Sequence, residues 1–568
     1  MKKLGILLTI FLLIFTFSLL AFAEGPEYEK VNVEGKFGGT LVWSVFGSGP
    51  KTFNYPLAQE TSSTTPLGFV FSGLVGEDSV TTDIVPELAK SWDVSEDGLV
   101  WTFHLRKGLV WSDGAPFTAD DVVFTFNDIA YNDKIQTDWR DVLTVEGKPF
   151  KVEKVDDYTV KFTLPVPFAP FLREVGIPIM PKHKLEEAVK SGKYMTTWGV
   201  DTDPKEIVGM GPFVIKEYKQ GDRIIFERNP NYWKVDKNGK RLPYLDGMVM
   251  LIVPDQDTQL LKFQSGELDH LILRGEDYAV LEPEQKKKGF TIYKSGATFG
   301  SQFVTFCWSH KDPVKRKWFN NKHFRKAVAY AIDRQSYIDN VLYGFGVEQW
   351  SPISPAVKTF YNDKVIKYPY DLDKAKEELK KGGFVLKDNK LYDADGNPVK
   401  FEILTNSGNK AREALGTMLQ EDLSKLGMEV KFSPIDFNAL VKRLLARPKG
   451  DWDAVIIGLT GGVEPNGGKN VWNSKGGLHF FNYDPENRKC WEKQVDMLFD
   501  IGAQILTTQG RKVVYDKWQY IASDELPFLY TALAVRLEAF KNYVKGAKPA
   551  SYGQVGGLWN IEEIWLDK

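Results

Sequence analysis

Trp101-Thr102-Phe103-His104-Leu105-Arg106-Lys107-Gly108-Leu109-Val110-Trp111-Ser112-Asp113-Gly114 alternates apolar and polar side chains over its first six positions, then breaks at Lys107-Gly108 and again at Asp113-Gly114. A period of two marks a strand with one buried face, and Gly after a polar residue marks a turn. The stretch predicts a hairpin in which Trp101, Phe103 and Leu105 face a core and Leu109-Val110-Trp111 returns beside them. Just beyond it, Thr118-Ala119-Asp120-Asp121 has capping-box spacing and predicts a short helix over 121–130. Asp156-Asp157 then turns the chain between Lys151–Val155 and Tyr158–Leu164, where Tyr158, Val160, Phe162 and Leu164 share one face, a second hairpin. From Glu24 to about residue 300 the chain reads mostly as strand and turn.

Past that point the period changes. Ala411, Ala414, Leu415, Met418, Leu419, Leu423 and Leu426 recur at helical spacing with one polar break, Asp422, before Gly427 at the C-terminal cap. Met428–Phe432 follows as a strand. Leu440, Val441, Leu444 and Leu445 make another helical stripe, which leads into Ala454-Val455-Ile456-Ile457, an apolar run of the kind buried on both faces of a parallel sheet. An α/β lobe is the economical reading. The Gly- and Trp-bearing tail from Ser551 to Lys568 is expected to rejoin the first half.

The 568 residues are 43% hydrophobic and 26% charged, which excludes a disordered chain, a collagen and a polytopic membrane protein. At roughly 150 residues per domain, three or four domains are expected. Lys and Arg (73) balance Asp and Glu (75) with no long run of one sign, which argues against a nucleic-acid groove. Lys2 and Lys3, the apolar run Leu4–Leu20 and Ala21-Phe22-Ala23 have the order of a cleavable signal peptide over 1–23. No Cys follows that run, so a lipid anchor is not indicated. Cys307 and Cys490 are too far apart in sequence for a CxxC pair, and packing of Cys307 in the apolar run Phe303–Trp308 is the expectation.

Catalytic patterns are missing. The six His show no HExxH spacing, there is no GxSxG elbow, and the Gly-rich run Gly461–Asn470 has Val463 and Asn470 where a phosphate loop needs Gly and Ser or Thr. A secreted glycoside hydrolase would need two opposed carboxylates, yet Asp120-Asp121 reads as a helix start, Asp156-Asp157 as a turn and Glu464-Pro465 as part of a loop. No enzyme, cofactor or metal site is expected.

Longer strings carry a resemblance. Pro86-Glu87-Leu88-Ala89-Lys90-Ser91-Trp92-Asp93-Val94-Ser95-Glu96-Asp97-Gly98, the opening stretch and Phe117-Thr118-Ala119-Asp120-Asp121-Val122-Val123 together resemble the signature of family 5 solute-binding proteins, the extracytoplasmic receptors of oligopeptide- and dipeptide-type ABC importers. The similarity continues through Gly209-Met210-Gly211-Pro212-Phe213, Glu227–Trp233, Pro243–Gly247, Gln264–Asp269 and Phe324–Arg334. It implies a bilobal α/β periplasmic-binding-protein (Venus-flytrap) fold with an extra strand-rich subdomain. Domain I would be 24–70, 205–297 and 536–568, domain II 71–204 and domain III 298–535, with the ligand between I and III. The implied protein is a periplasmic or extracytoplasmic monomer that binds a small-molecule ligand, touches no nucleic acid and delivers to an ABC permease driven by a separate ATPase. A haem or metal-complex ligand finds no His or Cys cluster to recommend it.

Peptide-binding members place an Asp in the loop after the buried strand of the third domain, where it pairs with the peptide's ammonium group. Here that loop reads Gly458-Leu459-Thr460-Gly461-Gly462-Val463-Glu464-Pro465, with Gly where the Asp is expected and Glu464 beside the proline as a structural acid. The loss favours a neutral ligand, a short β-linked oligosaccharide, over an oligopeptide. Thr460, Gly461, Gly462 and Trp472 are the expected ligand-binding residues on one side. Gln59, Thr61 and Ser62 are expected on the other, and Tyr530 toward the hinge.

Overall fold

A computed structural model describes residues 25–568; the expected signal peptide lies outside them. Two large hydrophobic cores and one small one organise the chain. The first core joins residues from Leu41 to Ile252 with Phe540 to Leu566, and the second runs from Phe303 to Ala532. The third holds Phe263, Leu271, Phe290, Leu537 and Ala539.

Two sheets share the first core. Thr40–Phe46 runs parallel to Gly247–Val253, which continues antiparallel to Arg223–Arg228 and Phe213–Lys219. The second sheet is antiparallel, in the order Ala89–Val94, Val100–Leu105, Thr159–Thr163, Lys151–Asp156. Phe103, Leu105, Val160 and Phe162 are buried on its inner face, as the alternation predicts. The hairpin at 151–163 forms. The one expected from Trp101 to Trp111 does not: Val100–Leu105 is paired on both edges by Ala89–Val94 and Thr159–Thr163, and 109–117 closes on itself, with Trp111 N donating to Ala115 O and Phe117 N to Leu109 O. The Asp113-Gly114 turn serves this small loop. Thr118 opens the helix Ala119–Phe124 with a complete capping box, and a π-turn carries it to Ala130.

The second core surrounds a five-stranded sheet ordered Glu429–Ile435, Lys400–Asn406, Ala454–Leu459, Ser301–Phe306, Phe528–Tyr530. Its first three strands are parallel, and Ser301–Phe306 runs antiparallel to its neighbours on both sides, so the sheet is mixed. Ala454–Ile457 sits at its centre and is buried. The helix Lys410–Lys425 packs on this sheet, and Gly427 follows it with φ +82°, a left-handed conformation that Gly adopts without strain. Asp422, the polar break in its stripe, is buried but accepts from Tyr370 Oη at 2.8 Å and pairs with Lys425 at 2.9 Å.

The lobes are joined by strands. Phe290–Ala297 runs on into Ser301–Phe306, and Phe528–Tyr530 into Ala532–Lys541. The last of these pairs with Gly346–Glu348 at one end and with Phe290–Ala297 and His270–Leu273 at the other. The tail returns to the first lobe, where Leu558, Ile561, Ile564 and Leu566 enter the core and Glu562 meets Lys234 at 2.7 Å. Both cysteines are free, Cys307 buried and Cys490 exposed.

Candidate functional site

Between the lobes lies a cavity of about 1480 Å³, large for a small-molecule site. The ends of the strands and the loops that follow them supply its walls. All eight residues singled out in the sequence line it: Gln59, Thr61 and Ser62 from the first lobe, and Thr460, Gly461, Gly462, Trp472 and Tyr530 from the second. The six His lie elsewhere, each beside a carboxylate: His104–Asp93, His183–Asp113, His270–Glu538, His310–Asp453, His323–Glu378 and His479–Glu492. Among the described residues no group of His, Cys, Asp and Glu is arranged to hold a metal ion.

The lobes touch across this cavity. Ser62 Oγ donates to Asn438 Oδ1 at 3.3 Å, and Asn438 Nδ2 donates to Gly49 O at 3.2 Å. A longer seam joins 138–174 to 466–503. There Asn466 Nδ2 donates to Glu174 Oε1 (3.0 Å), Lys469 Nζ to Thr144 O (3.0 Å), Asn470 Nδ2 to Asp138 Oδ2 (3.0 Å), Gly477 N to Asp141 Oδ2 (2.6 Å) and Ala169 N to Ala503 O (2.7 Å). The lobes are therefore in contact over the cleft, and Ser62 is spent on the partner lobe.

Several expected residues have structural duties. Trp472 is 4% exposed and packs edge-to-face on Trp518 (5.2 Å) and Phe528 (5.4 Å) of its own lobe. Tyr530 is 6% exposed, and its carbonyl accepts two bonds from Arg334. Gly461 lacks a side chain because a Cβ there would lie 1.9 Å from Phe299 O; Gly462 meets nothing closer than 3.9 Å and is the open one. Glu464 accepts from Asn466 N and forms a two-pronged pair with Arg511, both side chains at most 10% exposed. It is thus already committed.

Charge on the wall is mostly paired. Arg274 meets Asp257, Glu276 and Asp277, Lys410 meets Asp257 and Glu413, Glu77 meets Arg173, and Glu60 meets Lys51. Among the described residues three lining groups lack an opposite charge at salt-bridging distance: Asp138, Arg412 and Arg536. Burial and the neighbouring Asp141 push Asp138 up to about 6 against the bond from Asn470. Burial pulls Arg412 down to about 10, leaving it cationic. Neither is legible in the sequence: Asp138 stands at the start of the single helical turn Trp139–Val142, and Arg412 falls on the polar side of its helical stripe.

Comparison with known proteins covers nearly the whole chain. Residues 83–478 match the model of the bacterial extracellular solute-binding proteins, family 5. A probable ABC transporter-binding protein of Deinococcus radiodurans is 31% identical over 87% of each chain. The oligopeptide-binding protein AppA of Bacillus subtilis, solved with a nonapeptide, superposes with TM-score 0.81 at 26% identity, over 94% of this chain and 100% of that one. The binding protein MelB of Agrobacterium fabrum, solved with stachyose, gives TM-score 0.79 at 21% identity, over 94% of this chain and 85% of that one.

Proposed function

The chain belongs to the family 5 bacterial extracellular solute-binding proteins, and from that premise we propose that it is the receptor of an ABC importer that captures a short peptide between its lobes and hands it to the membrane permease. The signal peptide at 1–23 would export it as a monomer. The crossings near 298 and 535 would serve as the hinge between domain III and the rest, with 71–204 riding on the first lobe. A ligand touching both lobes pulls the hinge toward closure, and swinging a population from 1:99 to 99:1 takes about 10⁴-fold tighter binding to the closed form. The permease would read the closed shape, and a separate ATPase would supply the energy.

The observation that carries the choice of ligand is the unpaired charge of both signs on the wall. A neutral sugar would leave Asp138 and Arg412 dehydrated and uncompensated, whereas a zwitterion offers each a partner. Stacking of tryptophan on a sugar ring is poorly served as well, because the wall's tryptophans, Trp43, Trp472 and Trp518, are each 4% exposed or less. A short oligosaccharide remains the second reading, favoured by the exposed Thr460 and the open Gly462.

A thermal-unfolding panel separates the two. Peptides of two to nine residues at 100 times their dissociation constant should add about 2.7 kcal/mol, while neutral cello-, manno- and xylo-oligosaccharides leave the midpoint unchanged. Stabilisation by the sugars and not by the peptides would reverse the assignment. Cleavage of the bound ligand during incubation would overturn the receptor reading altogether.

A further inference from the structure

Two strands, one from each lobe, end in segments that meet. Gly247–Val253 of the first lobe runs out through Pro254 into the helix Gln256–Ser265, and Lys400–Asn406 of the second runs out through Gly408 into the helix Lys410–Lys425. Each helix starts on its own cap, Asp255 Oδ1 accepting from Thr258 N and Asn409 Oδ1 from Arg412 N. Between the caps the lobes touch main chain to main chain. Gln256 N donates to Gly408 O at 3.4 Å, and Lys410 N donates to Gln256 Oε1 at 3.0 Å. Gly408 has φ +83°, and a Cβ there would lie 2.5 Å from Pro254 O. Ser407 and Asn409 on either side line the cavity, whereas Gly408 does not.

A Cβ and a carbonyl oxygen cannot sit 2.5 Å apart, and an oxygen of the main chain cannot swing aside as the end of a side chain does. The left-handed φ does not by itself demand glycine, because Asn also adopts that region. What demands it is Pro254 O. Gly275 makes the reverse approach, its Cβ position 2.3 Å from Leu342 O. That contact lies beside Phe345, which packs against the small core and edge-on to Tyr278 at 4.8 Å, and so belongs to the pivot. The Gly408–Pro254 contact joins strand ends of opposite lobes, and opening breaks it. We infer that the bare Cα of Gly408 sets the limit of closure, allowing the lobes to come together far enough for both walls to grip one ligand. Gly408 is then a positioning residue, acting through the lobes and not on the ligand. This rests on the receptor reading alone and is the same for a peptide or a sugar.

Gly396 supplies the control. It stands in a turn of the second lobe off the cavity wall, has the same φ of +83°, and has nothing within 4 Å of its Cβ position. Gly408→Asn and Gly396→Asn should therefore unfold at the same temperature in the absence of ligand. The probe is the peptide that gives the wild type its largest thermal shift, or the oligosaccharide if no peptide gives one. Gly408→Asn should bind that probe at least about tenfold more weakly, since the competent closed form is depleted, and should release it faster; Gly408→Ala should act in the same direction, and Gly396→Asn should bind as the wild type does. Spin labels on Cys490 of the second lobe and on Val155→Cys of the first should show the probe drawing the wild type and Gly396→Asn to a short, narrow distance and leaving Gly408→Asn longer and broader. Closure and affinity of Gly408→Asn equal to those of Gly396→Asn would overturn the inference and leave the receptor reading standing. Weaker binding at an unchanged closed distance, or a ligand-free unfolding temperature well below that of Gly396→Asn, would also overturn it, by placing the effect inside the second lobe. If no probe shortens the wild-type distance, the receptor reading falls and the closure limit with it.

Discussion

Replacing Arg511 with alanine is expected to cost about 3–5 kcal/mol of stability, the range for breaking a buried ion pair from one side. Glu464 and Arg511 meet through two bonds with both side chains nearly buried, so the variant leaves a carboxylate in a dry site with its counter-charge gone. The damage should spread to binding. Glu464 also caps the turn Pro465–Gly468 through Asn466 N, and that turn leads from the exposed Thr460–Gly462 loop into the interlobe seam. Arg511 Nε additionally holds Gly502 O, next to the residue whose carbonyl meets Ala169 across the cleft. Denaturant unfolding of Arg511→Ala should show the loss, and adding Glu464→Gln should recover much of it by removing the stranded charge. A loss below about 1 kcal/mol would mean that the pair is solvated and worth no more than a surface salt bridge.

The second large effect is a pH dependence. Burial, with the nearby carboxylates Glu464 and Glu77, pushes Glu174 up to about 8 despite the bond from Asn466. In the unfolded chain the same group titrates near its ordinary value of 4.5. Between those values the folded protein holds a proton that the unfolded chain has released, so stability from this group is fully present below about 4.5 and is lost as pH rises toward 8. Glu174→Gln removes the titration. It should be nearly neutral at pH 4.5 and more stable than the wild type at pH 9 by about 2–5 kcal/mol, from a limiting slope of about 1.4 kcal/mol per pH unit. Ligand affinity should fall with pH in the wild type and less so in the variant, because Glu174 is buried at the interlobe seam and ionising it there opposes closure. Asp138 and Asp141, on the same seam, are raised as well and act in the same direction. Parallel pH–stability curves for the two proteins would contradict the assignment.

How far the sequence could be read depends on the range of the interaction. Capping and periodicity are local, so Thr118, Gly427 and the alternation at Trp101–Leu105 and Tyr158–Leu164 were readable, as were the two unlike halves. Strand partners are a matter of competition among distant segments. Leu109–Trp111 lies nearest to Trp101–Leu105 along the chain, yet Ala89–Val94 and Thr159–Thr163 occupy both edges. The lining loops at 59–62 and 460–462 came from the family resemblance. What each residue does there did not: Gly461 is Gly because of Phe299 O, and Trp472 faces its own core. The unpaired charges were invisible for a similar reason. A lone cation is defined by the absence of neighbours in space, and the acid next to Arg412 in the chain, Glu413, is paired with Lys410.

Closure of the two lobes on a ligand is the central claim, and interlobe distance measures it most directly. Cys490 offers an exposed natural labelling site on the second lobe, Cys307 is buried, and Val155→Cys places a second label at a position 58% exposed on the strand-rich part of the first. Pulsed electron–electron spin resonance on this pair should give long, broad distances without ligand and one short, narrow population when the peptide with the largest thermal shift is saturating. The same distribution with and without that peptide would contradict the account.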